Sequence, residues 1–444
     1  MKKTFKSKTN NFFFTNMKFL LFSFFLPMVQ SIFIGTATSS YQIEGHNKGI
    51  TIWDEFTFDY NLHPIGNASN HFLQYKEDIR LIHEMGSRDY RFSISWSRIM
   101  PFKWNEIDDE GIQFYHNVID ECLSYNITPY VTLYHWDLPH YLNTNEINGW
   151  LDEKIIYYFK EYSILIFEEY ADKVKYWFTI NEPLTTSYQG YGEDCSFAPH
   201  KCSVKNQYLS AHYQLLAHAH VGYYYLTHYD GDIGLVINSN WYEPKNNKSI
   251  IYANEQIDNT LGWFLEPLLY GSYPETMSKK TKSFSDSEQI LLVNSFSVLA
   301  INHYTTYYVD EKNQIDVDKN WHQTGASWLY ITPFGLYKLL DYIHNKYSNT
   351  LPIYITECGM AQSYQNTLTD LDRIHYLSGY LYEVGRLKHD TVKGFFVWSL
   401  LDNFEWASGF NESFGIIEID YENDFKRTPK SSFYFLKNLI QMSN

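Results

Sequence analysis

Two glutamates lie directly after apolar, aromatic segments of the sequence. Glu182 follows "VKYWFTIN" and Glu357 follows "LPIYIT". Runs of β-branched and aromatic residues favour buried strands, so each glutamate is predicted to lie at a strand end. The aromatic setting of Glu182 would desolvate its carboxyl group and raise its pKa, which suits a proton donor. Glu357 has Arg91 and Tyr304 as candidate partners that would keep it ionised and nucleophilic.

Two carboxyl groups in different protonation states are what glycoside hydrolysis requires. One group protonates the departing oxygen, and the other faces the anomeric carbon. Retaining enzymes hold the two groups ~5–5.5 Å apart, and the second acts as a covalent nucleophile. Placed across the mouth of one fold, Glu182 and Glu357 would form such a pair.

Apolar segments alternate with amphipathic helical segments through residues 32–444, and no linker divides them. The predicted strands are "FIGTAT", "DYRFSIS", "ITPYVTLY", "VKYWFTI", "DIGLVIN", "VLAIN", "LPIYIT" and "KGFFVWSL". This alternation predicts an α/β fold, a single (β/α)8 TIM barrel over residues 32–444, with its chemistry at the C-terminal strand ends. A doubly wound open sheet is the alternative, but "FIGTATSSYQIEG" lacks the glycine-rich phosphate turn that such sheets usually carry.

Further polar and ionisable residues follow the other predicted strands, which would bring them to the same rim. Each of them alone would be read as a solvated loop residue, but their shared position favours a common site. They include Gln42, Arg91, His135, Asn181, Asn302, Tyr304 and Glu405.

Composition excludes some functions. The formal net charge is −16, and an acidic surface repels phosphate backbones, so no nucleic-acid partner is expected. Tyr, Trp and Phe make up 19% of the residues, which suits stacking on sugar rings but also ordinary core packing.

The N-terminus resembles a secretion signal. A basic segment precedes the apolar run "FLLFSFFLPMV", and small residues follow near Ser31, so residues 1–31 are predicted to be a signal peptide. The run is too short to span a bilayer, so the mature chain is expected to be secreted or to enter the lumen of the secretory or lysosomal pathway without a membrane span. Glycosylation sequons occur at Asn67, Asn126, Asn247 and Asn411.

Four cysteines are too few for a disulfide scaffold. Cys195 and Cys202 lie close together in a polar segment, and spacing alone leaves open whether they pair. Cys122 and Cys358 lie in apolar contexts that favour buried thiols. No cysteine or histidine spacing indicates a metal site, and "SAHYQLLAHAHVGYYY" lacks the i, i+4 ligand pair, so His212, His218 and His220 are predicted to be structural.

Seven motifs together resemble family 1 glycoside hydrolases, the β-glucosidase group. From about Ile34 onward they match in order and spacing: "GTATSSYQIEG", "YRFSISWSRIMP", "TLYHWDLP", "WFTINEP", "INHYT", "YITECG" and "WSLLDNFEWASGFNESFGI". The resemblance implies a retaining β-glycosidase that acts on terminal non-reducing β-D-glucosyl, galactosyl or fucosyl units without a metal or organic cofactor. It also implies an unphosphorylated sugar, because Glu405 would repel a 6-phosphate.

By this resemblance, Glu182 is the acid/base and Glu357 the nucleophile. Arg91, Asn302 and Tyr304 would support the nucleophile. Residues expected to bind or line the substrate pocket are Gln42, His135, Trp136, Asn181, Trp328, Trp398, Glu405, Trp406 and Phe414. Two departures from the family pattern stand beside the site: Cys358 replaces the usual Asn, and His303 replaces the usual Tyr.

Two alternatives stay open. The first is a catalytically silent glycan-binding or receptor-type protein on the same fold, although both glutamates are retained. The second is a thiol hydrolase with Cys358 as nucleophile and His303 as base, for which no sequence feature pairs the two residues.

Overall fold

The computed structural model describes residues 32–46, 48–348, 350–362 and 367–443. The predicted signal peptide, residues 1–31, lies outside the described residues. The strands, in chain order, are β1 (Phe33–Ala37), β2 (Asp89–Ser93), β3 (Thr128–Tyr134), β4 (Tyr176–Asn181), β5 (Asp232–Asn238), β6 (Trp241–Pro244), β7 (Leu299–Asn302), β8 (Thr306–Val309), β9 (Ile315–Asp316), β10 (Ile353–Cys358), β11 (Val392–Trp398), β12 (Ile417–Asp420) and β13 (Lys426–Pro429).

Eight of these strands form a closed parallel barrel in the order β1, β2, β3, β4, β5, β7, β10, β11. The barrel closes where β11 pairs in parallel with β1 along the whole length of β1. The predicted (β/α)8 barrel is therefore confirmed, and closure excludes the open doubly wound sheet. All eight predicted strands belong to this barrel, with ends shifted by at most two residues.

Helices surround the barrel and connect its strands. The α-helices are Ser40–Ile43, Ile52–Asp59, His71–Met85, Trp96–Ile99, Asp109–Ser124, Lys154–Tyr170, Pro183–Thr185, Val204–His228, Ile250–Ile257, Trp263–Tyr270, Glu275–Ser278, Asp286–Val293, Phe334–Tyr347, Leu371–Gly385 and Ser431–Ser443. Short 3-10 helices are His140–Leu142, Gly149–Leu151, Asn247–Ser249 and Trp406–Ser408, and π-helical turns are Thr186–Gly190 and Asp258–Gly262. None of the helices in the described ranges is both long and apolar enough to cross a membrane.

The helix Lys154–Tyr170 shows why these segments pack as they do. Its buried side chains include Ile155, Phe159, Tyr162 and Ile166, spaced three or four residues apart. That spacing places them on one face of a 3.6-residue helix, which packs inward while Glu and Lys face solvent. Burial of this apolar stripe fixes the helix against the barrel, and the strand that follows enters in a defined register.

Strand register aligns the polar ends that the sequence placed on one rim. Glu357 on β10 lies opposite Asn302 on β7, and Asn302 lies opposite Asn238 on β5. Arg91 on β2 lies opposite Ala37 on β1. Because the strands are parallel, their C-terminal ends meet at one mouth of the barrel, and the side chains there converge.

Candidate active site

Glu357 is held by two charge-stabilising donors. Arg91 Nη1 lies 2.6 Å from Glu357 Oε1, and Tyr304 Oη donates to Oε2 over 2.7 Å. The guanidinium is fully buried and the glutamate is 3% exposed. A buried guanidinium and a phenolic donor thus each bond to one carboxyl oxygen, and together they fix the orientation of the group.

Glu182 occupies the turn immediately after β4. Its φ angle is +46°, in the left-handed region, and its N–H donates to the carbonyl of Val236 on the neighbouring strand over 2.9 Å. Pro183 then begins the next helical turn, and proline is favoured at that first position because it has no N–H to satisfy. Backbone strain of this kind persists only where the surrounding structure holds it, and here it aims the side chain into the mouth of the barrel.

The environment of Glu182 favours the protonated acid. Its pKa is raised to about 7, first by burial and then by the charge of Glu357. Asn302 Nδ2 donates to Glu182 Oε1 and Thr185 Oγ donates to Oε2, each over 2.7 Å, and both bonds oppose that rise. Burial beside Glu357 therefore favours a proton on Glu182, which is the form that a proton donor requires.

A buried polar network joins the two carboxyl groups. Arg91 Nη2 donates to Asn181 Oδ1 over 2.8 Å, and Asn302 Nδ2 lies 3.2 Å from the same oxygen. Asn181 Nδ2 lies 3.0 Å from His135 Nε2, which accepts the bond. Burial and then Arg91 lower the pKa of His135, so its imidazole is neutral. The network fixes both carboxylates relative to one another without a solvent-exposed member.

A second polar group lies where β1 and β11 end. Gln42 Nε2 donates to Asn403 Oδ1 over 3.0 Å and to Glu405 Oε2 over 3.2 Å. Ser39 Oγ donates to Gln42 Oε1 over 2.7 Å, which fixes the orientation of the amide. Burial, and then the charge of Glu412, holds the pKa of Glu405 well above its usual range. Gln42 and Glu405 thus form a fixed acceptor and donor set suited to sugar hydroxyls.

Aromatic side chains wall this part of the pocket. The ring of His135 lies nearly parallel to Trp398 at 5.8 Å and to Trp406 at 6.0 Å between centroids. Trp136 lies 4.6 Å from Trp406 and donates its Nε1–H to the backbone carbonyl of Asn181 over 2.9 Å. Flat apolar faces beside converging polar groups are what a pyranose ring requires.

The remaining predicted residues, Trp328 and Phe414, both pack against Tyr304. Trp328 packs edge-on against Tyr304 at 5.6 Å, and Tyr307 Oη donates to the Trp328 carbonyl over 2.7 Å. Trp328 is 42% exposed, whereas Phe414, 6.3 Å from Tyr304, is 1% exposed. Trp328 is therefore available to a leaving group at the mouth, and Phe414 packs behind Tyr304.

Cys358 and His303 do not lie among these groups. Cys358 is buried with its Sγ 3.5 Å from Tyr376 Oη, on the opposite face of the strand from Glu357, and burial raises the pKa of the thiol. His303 Nδ1 donates to the Ser239 carbonyl over 2.9 Å, and burial lowers the pKa of the ring to about 4. No bond joins the two residues in the described part of the chain, so the geometry contradicts the thiol-hydrolase alternative.

The disulfide between Cys195 and Cys202 is present, with a Cα–Cα distance of 5.5 Å. It closes the loop that carries Phe197. The ring of Phe197 lies 5.7 Å from Trp136 and 5.2 Å from Trp53, so the loop supports the aromatic wall from outside.

One group of potential metal ligands occurs within the described ranges: Cys195, His200 and Cys202. Both sulfur atoms are committed to the disulfide bond, and metals bind the thiolate form of cysteine. His200 Nδ1 in addition lies 2.6 Å from the carbonyl of Cys195. This group is therefore part of the loop structure.

The three histidines of the helix Val204–His228 do not converge. His218 lies 2.7 Å from Thr179 Oγ, and His212 lies 3.1 Å from Tyr273 Oη, both in buried positions. His220 is half-buried elsewhere on the helix. They act as packing and hydrogen-bonding residues, as their spacing indicated.

The sequence did not predict the residues that bond to Glu182 and Tyr304 from outside the pocket. Thr185 contacts Glu182, and Asn238 Nδ2 donates to Thr185 Oγ over 3.0 Å. Tyr376 and Tyr380 each donate to the Tyr304 carbonyl over 2.8 Å. The spacing of these residues could have indicated their contacts. Thr185 lies three residues after Glu182, and the two tyrosines lie four residues apart on one helix. Residues at either spacing lie on the same face of a helix.

Comparison with known proteins agrees with this fold. Residues 27–444 match the sequence model of glycosyl hydrolase family 1. Beta-glucosidase 4 from Oryza sativa subsp. japonica is 39% identical over 454 residues, covering 92% of this chain and 93% of its own. Beta-glucosidase 42 from Arabidopsis thaliana is also 39% identical, over 92% of each chain. This chain therefore belongs to glycosyl hydrolase family 1, and it is a retaining O-glycosyl hydrolase.

Solved structures give the same result. A rice β-glucosidase mutant in a covalent complex with Glc superposes with a TM-score of 0.87 at 35% identity, covering 92% of this chain and 98% of its own. An aphid myrosinase superposes with a TM-score of 0.86 at 32% identity, covering 93% and 98%. The family match begins at residue 27, four residues before the end of the predicted signal peptide.

Proposed function

We propose that the protein hydrolyses terminal non-reducing β-D-glucosyl residues, with galactosyl and fucosyl units as further substrates, by double displacement. The observation that best supports this proposal is that the two carboxyl groups lie in different electrostatic environments. Arg91 and Tyr304 each bond to one carboxyl oxygen of Glu357, whereas burial raises the pKa of Glu182 to about 7. Such a pair supplies a nucleophile and an acid at neutral pH.

In the first step Glu357 attacks the anomeric carbon as the bond to the leaving oxygen breaks. Glu182 transfers its proton to that oxygen, so the aglycone leaves as a neutral alcohol. The products are a glycosyl ester on Glu357 and an ionised Glu182. Arg91 and Tyr304 hold the attacking carboxylate in position throughout.

In the second step the charge relations reverse. The ester on Glu357 carries no charge, so it no longer raises the pKa of Glu182, and Glu182 stays ionised and available as the base. Glu182 takes a proton from water as the water oxygen bonds to the anomeric carbon, and the ester bond breaks. Glu357 regains its carboxylate and Glu182 its proton, so all bond changes balance without a cofactor.

The polar and aromatic residues around the pair would select the sugar. Gln42, His135 and Glu405 present buried polar groups to its hydroxyls, and Trp398 offers an apolar face for stacking. The pocket around Glu405 is acidic, since the charges of Glu412 and Glu357 both act on this group, and a phosphorylated sugar would be disfavoured there. Trp328 at the exposed edge would contact the aglycone.

The similar proteins support the same substrate class. Two plant relatives are named β-glucosidases, and the rice structure holds Glc covalently. A covalent sugar is the species that the first step forms on a carboxylate nucleophile.

We further propose that the protein is secreted or enters the secretory lumen. The basic and apolar N-terminus and the Cys195–Cys202 disulfide support this, since disulfides persist in oxidising compartments. The four sequon asparagines, Asn67, Asn126, Asn247 and Asn411, are all exposed and therefore accessible to glycosylation.

The test compares wild type, Glu357→Gln and Glu182→Gln on 2,4-dinitrophenyl and 4-methoxyphenyl β-D-glucoside. Wild type should hydrolyse both, and Glu357→Gln neither. Glu182→Gln should form the glycosyl-enzyme from the activated substrate alone, and added azide should restore its turnover. Binding of glucose analogues by wild type without turnover would instead establish the silent glycan-binding protein.

A further inference from the structure

Glu182 accepts a second hydrogen bond, and the residue that donates it has no hydrogen bond to the other members of the polar network. Thr185 Oγ lies 2.7 Å from Glu182 Oε2, and Asn238 Nδ2 lies 3.0 Å from Thr185 Oγ. An amide nitrogen can only donate, so Thr185 Oγ accepts from Asn238 and directs its own hydrogen toward the carboxylate. The bond to Glu182 therefore has a fixed direction.

The fold produces this alignment from adjacent strands. Glu182 N–H is bonded to Val236 O on β5, and two residues later β5 ends at Asn238. Thr185 lies three residues after Glu182 in the helical turn that Pro183 begins. The hydroxyl thus lies between the end of β5 and the glutamate that follows β4.

The two donors to Glu182 differ in their other contacts. Asn302 Nδ2 also approaches Asn181, and its Oδ1 accepts from Thr356 beside Glu357. The Asn302 side chain therefore contacts Glu182 directly and Glu357 only through its neighbour Thr356. The Thr185 hydroxyl bonds only to Glu182 and Asn238 among the described residues. A change at Thr185 acts on the acid/base residue alone.

Both bonds stabilise the charged form of Glu182, which the two catalytic steps use differently. In the first step Glu182 must hold a proton, and the charge of Glu357 favours this. In the second step Glu182 must accept a proton, and a hydroxyl donor to Oε2 stabilises and orients the carboxylate that does so.

We propose that Thr185, oriented by Asn238, is a positioning residue that holds Glu182 as the base for the hydrolysis of the glycosyl-enzyme. This inference rests on the proposed function of Glu182. The hydroxyl makes the second step fast without contributing to the attack of Glu357 on an activated substrate.

The test is the kinetics of Thr185→Val with 2,4-dinitrophenyl β-D-glucoside, whose leaving group needs no acid. Loss of a hydrogen bond to a charged group should lower kcat by about tenfold or more. The glycosyl-enzyme should accumulate, so KM falls in proportion and kcat/KM stays within about twofold of wild type. Azide, which needs no base, should restore turnover of the variant.

Three further variants separate this role from a structural one. Thr185→Ser keeps the hydroxyl and should retain kcat within about twofold. Asn238→Leu removes the donor that orients the hydroxyl, and should lower kcat less than Thr185→Val does. Thr186→Val is the matched control, because Thr186 Oγ is buried without a hydrogen-bond partner in the described part of the chain, and its kcat should be unchanged.

The outcomes distinguish this inference from the function on which it rests. No turnover by wild type would overturn the proposed function and the inference together. Turnover by wild type with an unaltered kcat in Thr185→Val would overturn the inference alone. So would a parallel loss of kcat and kcat/KM that azide does not restore, because that is the pattern of general damage to the site.

Discussion

The raised pKa of Glu182 should set the alkaline limit of activity on substrates with poor leaving groups. Burial and the charge of Glu357 raise this pKa to about 7, so the carboxyl group loses its proton just above neutral pH. Departure of an alkoxide-like group needs that proton, so kcat/KM must fall as Glu182 ionises. With a pKa of about 7, roughly one enzyme molecule in eleven keeps the proton at pH 8, and about one in a hundred at pH 9.

The assay is the pH dependence of kcat/KM for 4-methoxyphenyl β-D-glucoside, which should decline about tenfold per pH unit above the limit. The activated 2,4-dinitrophenyl β-D-glucoside should lack this decline, since its leaving group departs without protonation. Glu182→Gln should react with the activated substrate alone, and its kcat/KM should show no alkaline decline, because the variant lacks the titrating group.

Two results would refute this reasoning. If the alkaline decline persists with the activated substrate, the group that titrates is not the proton donor. If it persists in Glu182→Gln, the titrating group is not Glu182. Protein unfolding at high pH is controlled by returning each sample to pH 6 and measuring the activity recovered.

Three further predictions concern the surroundings of the site. Tyr304→Phe removes the 2.7 Å bond to Glu357 Oε2 and should lower kcat/KM about 10- to 100-fold; a loss under twofold would contradict a role for the phenol. Cys358→Asn should change kcat by less than about twofold while lowering the urea midpoint, because the thiol is buried against Tyr376 rather than beside the substrate; a large change in kcat at unchanged stability would contradict this. Replacing Cys195 and Cys202 by Ala should lower the free energy of unfolding by about 2–3 kcal/mol, the entropy of a loop with a sequence separation of 7; urea unfolding that matches wild type would refute it.

Much of the fold was predictable because strand and helix periods differ clearly along this chain. In the helix Lys154–Tyr170, buried residues recur every three or four positions, whereas "DIGLVIN" forms a buried strand at its predicted bounds. The positions of the two glutamates were predictable for the same reason. Each follows a strand, and the C-terminal ends of all strands in a parallel barrel lie at the same mouth. Their partners Arg91 and Tyr304 were also predicted and lie within hydrogen-bond distance.

The orientation of individual side chains was less predictable. Cys358 follows Glu357 directly, and only the alternation of a strand decides that the thiol faces away from the barrel interior. Spacing could not decide whether Cys195 and Cys202 pair, because their separation permits a disulfide without requiring one. The contact of Thr185 with Asn238 depends on the register of β4 against β5. That register could not be predicted from a single sequence.

The central claim is that Glu357 forms a covalent bond to the sugar. The direct measurement is mass spectrometry after inactivation with 2,4-dinitrophenyl 2-deoxy-2-fluoro-β-D-glucoside, which slows release of the glycosyl-enzyme. Trypsin should yield residues 347–373, a peptide whose single glutamate is Glu357, and this peptide should carry one fluoroglucosyl group on that glutamate. A label on Glu182 or on Cys358, or turnover of ordinary glucosides with no labelled peptide, would contradict the account.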